Sequence, residues 1–331
     1  MLTAQEIDDA RINVRILERL KIAVLVPCYN EAVAISKVVS QFGALLPQAT
    51  IYVYDNNSTD GTVAAAQGAG AVVRCEKHQG KGHVVRRMFA DVDADVYVLV
   101  DGDATYDAPS VLLMVSRLIE DRLDMVVGAR VAPQEAAYRA GHRLGNRLLT
   151  GFVAAVFGAT FTDMLSGYRV LSQRFVKSFP VLSGGFEIET ELTVHALELG
   201  LPVAEVSTPY YARPQGSTSK LNTWRDGWRI LWTIVRLYKS ERPLPFFGVI
   251  GVVLALMAIA LAIPIFATYL ETGLVPRLPT AVLATGLMLL ACLSLTCGFV
   301  LSTVTRGRRE IKLLAYLQHG VANGGEDRRN R

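Results

Sequence analysis

The stretch "VYVLVDGDATYDA", residues 96–108, opens as a buried strand and closes as a charged turn. Val96 to Val100 are apolar and mostly β-branched or aromatic, the composition of a strand in the middle of a sheet. Asp101 and Asp103 follow at once, one residue apart. Two carboxylates at the mouth of a buried strand repel each other and must stay hydrated, which a folding requirement alone does not explain. Beside Thr105 and Tyr106 they make a hard oxygen site suited to Mg²⁺ or Mn²⁺. Such ions usually take one or two carboxylates and complete their shell with substrate phosphates. The plain alternative is a solvated turn with a helix cap, since Asp is also a normal cap residue. A pair of this spacing arises by chance about once in a chain of this length, so the neighbouring segments must decide.

Upstream, "KIAVLVPCYNE" (21–31) is a β-branched run stopped by Pro27, a strand emptying into a loop. A helical stretch follows over about 32–46. "TIYVYDNNSTDGT" (50–62) reads as a second strand ending in turn formers, with Ser58 or Thr59 as the expected helix cap. "AVVRC" (71–75) and "ADVYVLVDGD" (94–103) give two more strands around the helical "GHVVRRMFADV" (82–92), and "LDMVVGAR" (123–130) another. Strands alternating with helices predict a doubly wound, parallel α/β sheet. Ligands bind such sheets at the carboxyl ends of the strands, where Tyr29, Asn30, Glu31, Asp55, Asn56, Asp101 and Asp103 all fall. Further on, the sequence predicts a long helix through "HRLGNRLLTGFVAAVFG" (142–158), a loop "FTDMLSGYRVLS" (161–172) and a helix "GFEIETELTVHALELG" (185–200).

Half of the 331 residues are hydrophobic (51%), but unevenly placed. Residues 246–270 and 280–304 contain no charged side chain, and each run exceeds the roughly 20 residues a helix needs to cross a bilayer. The linker "ETGLVPRLP" is too short for a domain, so the two spans are expected to form a transmembrane hairpin. Lys239 and Arg242 precede the first span; Arg306, Arg308, Arg309 and Lys312 follow the second. The positive-inside rule then places both termini and the large domain in the cytoplasm, at the cell's inner (plasma) membrane. Residues 223–243, with Trp224, Trp228 and Trp232 among basic residues, read as an interfacial amphipathic helix. The expected division is a charged amphipathic segment 1–20, unlike a cleavable signal, then a catalytic-type domain 21–222, the interfacial helix 223–243, the hairpin 246–304 and a basic tail 305–331. Four scattered cysteines have no paired spacing, which excludes a disulfide framework or a zinc site. The net charge of +4, without a basic face interleaved with aromatics, excludes nucleic acid as a partner. Oligomeric state is left open.

"PCYNE" (27–31), "DNNSTDGT" (55–62), "GKG" (80–82), "DGD" (101–103), "DMLSGYRVLS" (163–172) and "RPQGSTSK" (213–220) are weak singly. In this order on successive strand ends, the chain resembles the family-2 glycosyltransferases of the GT-A fold. It is most similar to their polyprenyl-phosphate branch, which includes dolichyl-phosphate mannose synthases and bacterial polyprenyl-phosphate glucosyltransferases with two C-terminal spans. The resemblance covers about 20–240, and the hairpin extends it. It implies a GT-A domain in which Pro27, Tyr29 and Glu31 line a nucleoside pocket, with Asp55 and Asn56 on the base or ribose and Lys81 near the nucleotide. Asp101 and Asp103 would hold Mg²⁺ or Mn²⁺ on the donor diphosphate, and Arg213 and Lys220 would close over it. The chain departs from the family pattern at "DNNS" (55–58) where "DDxS" is common, at Thr105 where Gln often stands, and at Glu189 where relatives often carry Gln.

Sugar transfer from a nucleotide diphosphate needs stabilisation of the leaving group, which a metal and Arg or Lys side chains supply. A hydroxyl acceptor also needs a base, for which Asp163, Glu187 and Glu189 are candidates. A lipid monophosphate is already ionised and needs only cations to hold it. Arg130, Arg139, His142, Arg143 and Arg169 form a cationic set suited to such an acceptor, although any one of them could be a surface charge. The expected activity is therefore an inverting, metal-dependent hexosyl transfer from a nucleotide sugar, UDP-linked before GDP-mannose, to polyprenyl phosphate. Undecaprenyl phosphate is the expected acceptor, and the product a lipid-linked sugar. Two alternatives stay open: a GT-A transferase acting on another lipid or a polysaccharide, and an inactive nucleotide-binding membrane scaffold.

Overall fold

In the computed structural model the described residues are 19–131, 151, 161–185, 187–214, 232, 235, 236 and 238–320. The expectations for residues 1–18, for nearly all of 142–158 and most of 223–241, and for Arg139, His142, Arg143 and Lys220 lie outside them. The chain divides into two compact units, Met1–Ile230 with Lys312–Arg331, and Leu231–Ile311.

In the first unit strands and helices alternate as β1 (Ile22–Cys28), α1 (Ile35–Leu45), β2 (Thr50–Asp55), α2 (Thr62–Gly68), β3 (Val72–Cys75), α3 (Lys81–Asp91), β4 (Val96–Leu99), α4 (Ser110–Glu120) and β5 (Met125–Val131). Then come β6 (Arg169–Ser172), α5 (Gln173–Ser178), α6 (Ile188–Leu199) and β7 (Val203–Pro209). They build one seven-stranded sheet in the order β3-β2-β1-β4-β6-β5-β7. β1 and β4 are buried along nearly their whole length, which is why they read as continuous apolar runs. Ile35, Val38, Val39 and Phe42 of α1, and Val111, Met114, Val115 and Leu118 of α4, repeat at helical spacing and bury that face in the core.

The mainly parallel sheet expected of a GT-A domain is present, and two finer expectations need correction. The sheet is mixed: β6 runs antiparallel between β4 and β5, with Arg169 opposite both Leu99 and Val127. The segment 161–172, expected as a loop, thus ends in a central strand. All four of its residues are buried, so no alternation marked it, and an arginine at its head concealed it. Neither Ser58 nor Thr59 caps α2. Asp60 accepts the Thr62 N–H at 3.0 Å, while the Ser58 hydroxyl accepts from Asn30 N at 2.8 Å and ties two loops together.

The second unit contains most of two long helices, α7 (Pro243–Thr272) and α8 (Leu278–Leu317). At 30 and 40 residues, both exceed the length and apolarity a membrane span requires. Large side chains such as Leu256, Ile263, Phe266, Leu289 and Phe299 stay exposed along them, unlike those of a soluble core helix. The seam between the helices uses small residues: Gly251 lies against Ala291 and Leu295, and Gly298 against Phe247. The Ser294 hydroxyl donates to the Phe247 carbonyl across it at 2.8 Å. α8 stays helical to Leu317, well into the stretch expected as a tail.

Candidate active site

The carboxyl ends of β1, β2 and β4 lie side by side, Cys28 being paired with Asp55 and Leu25 with Leu99. The loops leaving them are stitched to one another. Asn30 Oδ1 accepts from Thr59 N at 2.8 Å, and Thr62 Oγ1 accepts from Glu31 N at 2.8 Å. Asn30, Asn57 and Ala104 have positive φ (53°, 63° and 56°), so departures from ordinary backbone gather at these strand ends.

Asp55 is buried, with Oδ2 accepting from Ser58 N at 3.0 Å and Oδ1 left without a hydrogen-bond partner. A buried carboxylate oxygen with nothing to accept from is costly, and suits a ligand N–H or O–H. Asn56 has a different task. Its amide donates to the carbonyls of Glu76 and His78 at 2.9 and 2.8 Å and accepts from Gly80 N at 2.7 Å. It shapes the 76–80 loop, and those bonds use both of its N–H groups. Tyr29 is exposed, Pro27 half-buried and Glu31 buried beside it.

The 76–80 loop delivers Lys81 as the first residue of α3. Lys81 Nζ reaches Asp101 Oδ1 and Glu189 Oε1, each at 2.5 Å. Gly80 and Gly82 are required here, because a Cβ on either collides with backbone of Ser183 or Gly184 packed above the helix start. Burial opposes the ammonium, yet the two carboxylates hold the Lys81 pKa above the ordinary lysine value; burial pushes Glu189 up. On the second carboxylate of the turn, Thr105 donates its hydroxyl to Asp103 Oδ1 at 2.6 Å, and Arg213 Nη2 lies 2.8 Å from Asp103 Oδ2. Burial, and then repulsion from Asp101, raise the Asp103 pKa. Arg213 arrives because its segment is laced to the aspartate turn: Tyr211 N donates to Thr105 O at 2.8 Å, and Tyr106 bridges to Tyr210.

Asp101, Asp103, Lys81 and Arg213 are thus brought together. Glu189, noted in the sequence as a departure from the family pattern and as a candidate base, joins them, and so does Gly167. Its amide donates to the Tyr106 hydroxyl at 2.8 Å, and its missing side chain leaves room for the Asp101 carboxylate. Sequence reasoning missed both contacts, although "SGYR" was the available signal. Arg169 requires correction. It is fully buried, and its guanidinium donates to the carbonyls of Ser166, Met164 and Glu189 and to Thr193 Oγ1 at 2.7–3.0 Å. Burial lowers its pKa to about 10. It braces the 164–166 loop and the start of α6 and does not face an acceptor. Arg130 makes a bidentate pair with Asp163 at 2.6 and 2.8 Å and lies over the Tyr210 ring. Burial of Asp163 acts against its charge, but the Arg130 pairing prevails and lowers its pKa.

Two carboxylates at one strand end offer hard oxygen ligands of the kind a divalent cation takes, and each is paired with a protein cation that such an ion would displace. Among the described residues no three His, Cys, Asp or Glu side chains are grouped to hold a metal by themselves. This matches an ion that completes its shell on substrate phosphates.

The mixed, mostly parallel sheet with acidic and basic groups at its carboxyl edge is a GT-A-like fold, carried here with two apolar C-terminal helices. Residues 23–178 match the family described as "Glycosyl transferase family 2". Glycosyltransferase AglJ of Haloferax volcanii is 36% identical over 250 residues, covering 75% of this chain and 81% of that protein. A dolichol-phosphate mannosyltransferase of Pyrococcus furiosus is 26% identical over 240 residues, 67% of this chain and 65% of its own. Among solved structures, Mycobacterium tuberculosis glucosyl-3-phosphoglycerate synthase in complex with Mn²⁺, UDP and phosphoglyceric acid aligns with a TM-score of 0.55 at 21% identity. That alignment covers 72% of this chain and 82% of the synthase, a likeness of fold. The chain belongs to glycosyltransferase family 2.

Proposed function

We propose that this protein transfers a sugar from a nucleotide diphosphate sugar to a polyprenyl phosphate at the cytoplasmic face of the membrane, with inversion at the anomeric carbon. One observation carries the reading: Asp101 and Asp103 meet Lys81 and Arg213 at the carboxyl edge of the sheet, in a chain that ends in two helices apolar enough to span a bilayer. Asp55 Oδ1, buried and unpartnered, is placed to accept from a base or ribose of the nucleotide, with Tyr29 and Glu31 beside it. Asp101 and Asp103 would hold Mg²⁺ or Mn²⁺ on the diphosphate. When bound, that ion supplies positive charge to the departing phosphate oxygens. Arg213, with Lys220 of the same segment, holds the diphosphate oxygens by charge-assisted hydrogen bonds.

The acceptor argument rests on which carboxylates are already committed. Asp163 is paired with Arg130 and Glu189 with Lys81, so two of the three candidates for a general base are held in ion pairs. A phosphate needs no base: its oxygen attacks the anomeric carbon, the bond to the donor's phosphate oxygen breaks, and the electron pair leaves with the nucleotide diphosphate. An α-linked donor gives a β-linked product. The dolichol phosphate for which the Pyrococcus relative is named supports a lipid phosphate, and the UDP in the solved neighbour's complex supports a uridine donor. Arg139, His142 and Arg143 are the proposed acceptor-phosphate ligands, with Arg130 near them in sequence. The basic residues flanking both helices support a cytoplasmic first unit by the positive-inside rule. The full-length protein, incubated with undecaprenyl phosphate, Mn²⁺ and a panel of UDP- and GDP-sugars, should give one dominant lipid-linked sugar by mass spectrometry. A sugar product on lipid phosphate from none of the donors overturns the proposal.

A further inference from the structure

Two features of the aspartate site belong together. Each carboxylate of the turn already holds a cation of the chain, Lys81 on Asp101 and Arg213 on Asp103. Lys81 also holds a second anion, Glu189, and that carboxylate is the more deeply placed: its side chain is 7% exposed against 29% for Asp101. An ion arriving from solvent therefore reaches Asp101 on its open side, while Glu189 is the less accessible of the two carboxylates that Lys81 holds. No group of three ligands among the described residues competes to hold that ion without phosphate.

We propose that Lys81 and Arg213 act as stand-in cations for the divalent ion, and that Glu189 is a positioning residue that keeps Lys81 in place when Asp101 exchanges it for the ion. The inference rests on reading this as the donor site. Before the donor arrives, the two protein cations offset the repulsion between Asp101 and Asp103. When a diphosphate enters, its oxygens give Lys81 and Arg213 new anions, and the two aspartates are freed for the ion. Ion and nucleotide therefore bind with positive coupling, because either alone must displace a pairing that the other replaces. Glu189 sets the balance: sharing Lys81 weakens its hold on Asp101 without letting the side chain leave. Glutamine at this position would give Lys81 wholly to Asp101.

The test is Mn²⁺ binding to the full-length protein in detergent, followed by electron paramagnetic resonance with and without UDP. In the wild type, UDP should strengthen Mn²⁺ binding by about tenfold or more. Lys81→Met alone leaves the buried Glu189 and the half-buried Asp101 without their cation, so the informative variant is Lys81→Met/Glu189→Gln, which removes one charge of each sign. In it, Mn²⁺ alone should bind about tenfold tighter than in the wild type, and the UDP enhancement should shrink by the same factor. Glu189→Gln by itself should weaken Mn²⁺ binding without nucleotide, and should have no such effect once Lys81 is Met. Unchanged or weaker binding of Mn²⁺ alone by the double variant overturns the inference. So does a Glu189→Gln loss that persists without Lys81, which would make Glu189 an ion ligand itself. A wild type that binds no Mn²⁺ even with UDP overturns the donor-site reading and the inference together.

Discussion

Replacing Gly167 with alanine asks the most of the site geometry with the smallest change. A Cβ on Gly167 lies 2.5 Å from Asp101 Oδ2 and 2.9 Å from its Cγ. Ordinary carbon–heavy-atom contact begins about 1 Å further out, so either the backbone or the carboxylate must move. The backbone is pinned: Gly167 N donates to the Tyr106 hydroxyl at 2.8 Å, and the next residue's carbonyl accepts from Gly128 N at 2.9 Å. The carboxylate yields, because its side chain is 29% exposed and has solvent to swing into. A displacement of about 1 Å at a reacting centre costs on the order of 100-fold in rate, or about 2.7 kcal/mol of transition-state stabilisation. Gly167→Ala should therefore lower kcat/KM for sugar transfer by about two orders of magnitude and weaken Mn²⁺–UDP binding. Its thermal unfolding should stay close to wild type, since no core contact is lost. Wild-type kinetics in a folded Gly167→Ala protein would show that Asp101 does not need its observed position, and the proposed role of the turn would fall.

Asp101→Ala and Asp103→Ala should each abolish transfer while leaving circular dichroism unchanged. Excess chelator should reproduce them, and added Mn²⁺ or Mg²⁺ should restore the wild type; normal turnover in either variant refutes the metal role. Arg169→Met should behave as a folding variant, because it strips hydrogen bonds from three buried carbonyls. Denaturant unfolding should show a loss of about 3–5 kcal/mol, and a stable protein with only a raised acceptor KM would contradict the buried placement. Asp163 has a folded pKa below its ordinary 3.8, so its stabilisation is complete above that value and is lost as pH falls through the lower, folded one. Asp163→Asn should thus be less stable than wild type at neutral pH, with the gap closing below about pH 4. A gap that stays constant into acid removes the ion pair as its cause.

The parallel half of the sheet and the aspartate turn were legible because each carried its own pattern. β1 and β4 are unbroken apolar runs, and Asp101 and Asp103 stand where such a run stops. β6 was not legible. Its four residues, "RVLS", are buried on both faces, so the strand has neither alternation nor length. Arg169 shows the limit for sites as well: a lone arginine in a sequence looks like a charge awaiting a partner, and only the fold reveals that carbonyls of its own chain occupy it. Asn56 was placed at the right strand end but serves the 76–80 loop, because the donors and acceptors that define its role come from residues 20–24 positions away. Glu189 could be seen as unusual in sequence. Its partnership with Lys81 spans 108 positions and needs α3 and α6 to be brought together.

The central claim is that an ionised lipid phosphate is the acceptor and attacks without a base. The most direct measurement gives the full-length enzyme equal amounts of undecaprenyl phosphate and undecaprenol with the working donor, and separates the lipid products by mass. Sugar is expected on the phosphate alone, with a rate that does not rise with pH above the phosphate's second pKa of about 6. Glycosylated undecaprenol at a comparable rate would contradict it and return the search to a base, with Glu187 the first candidate.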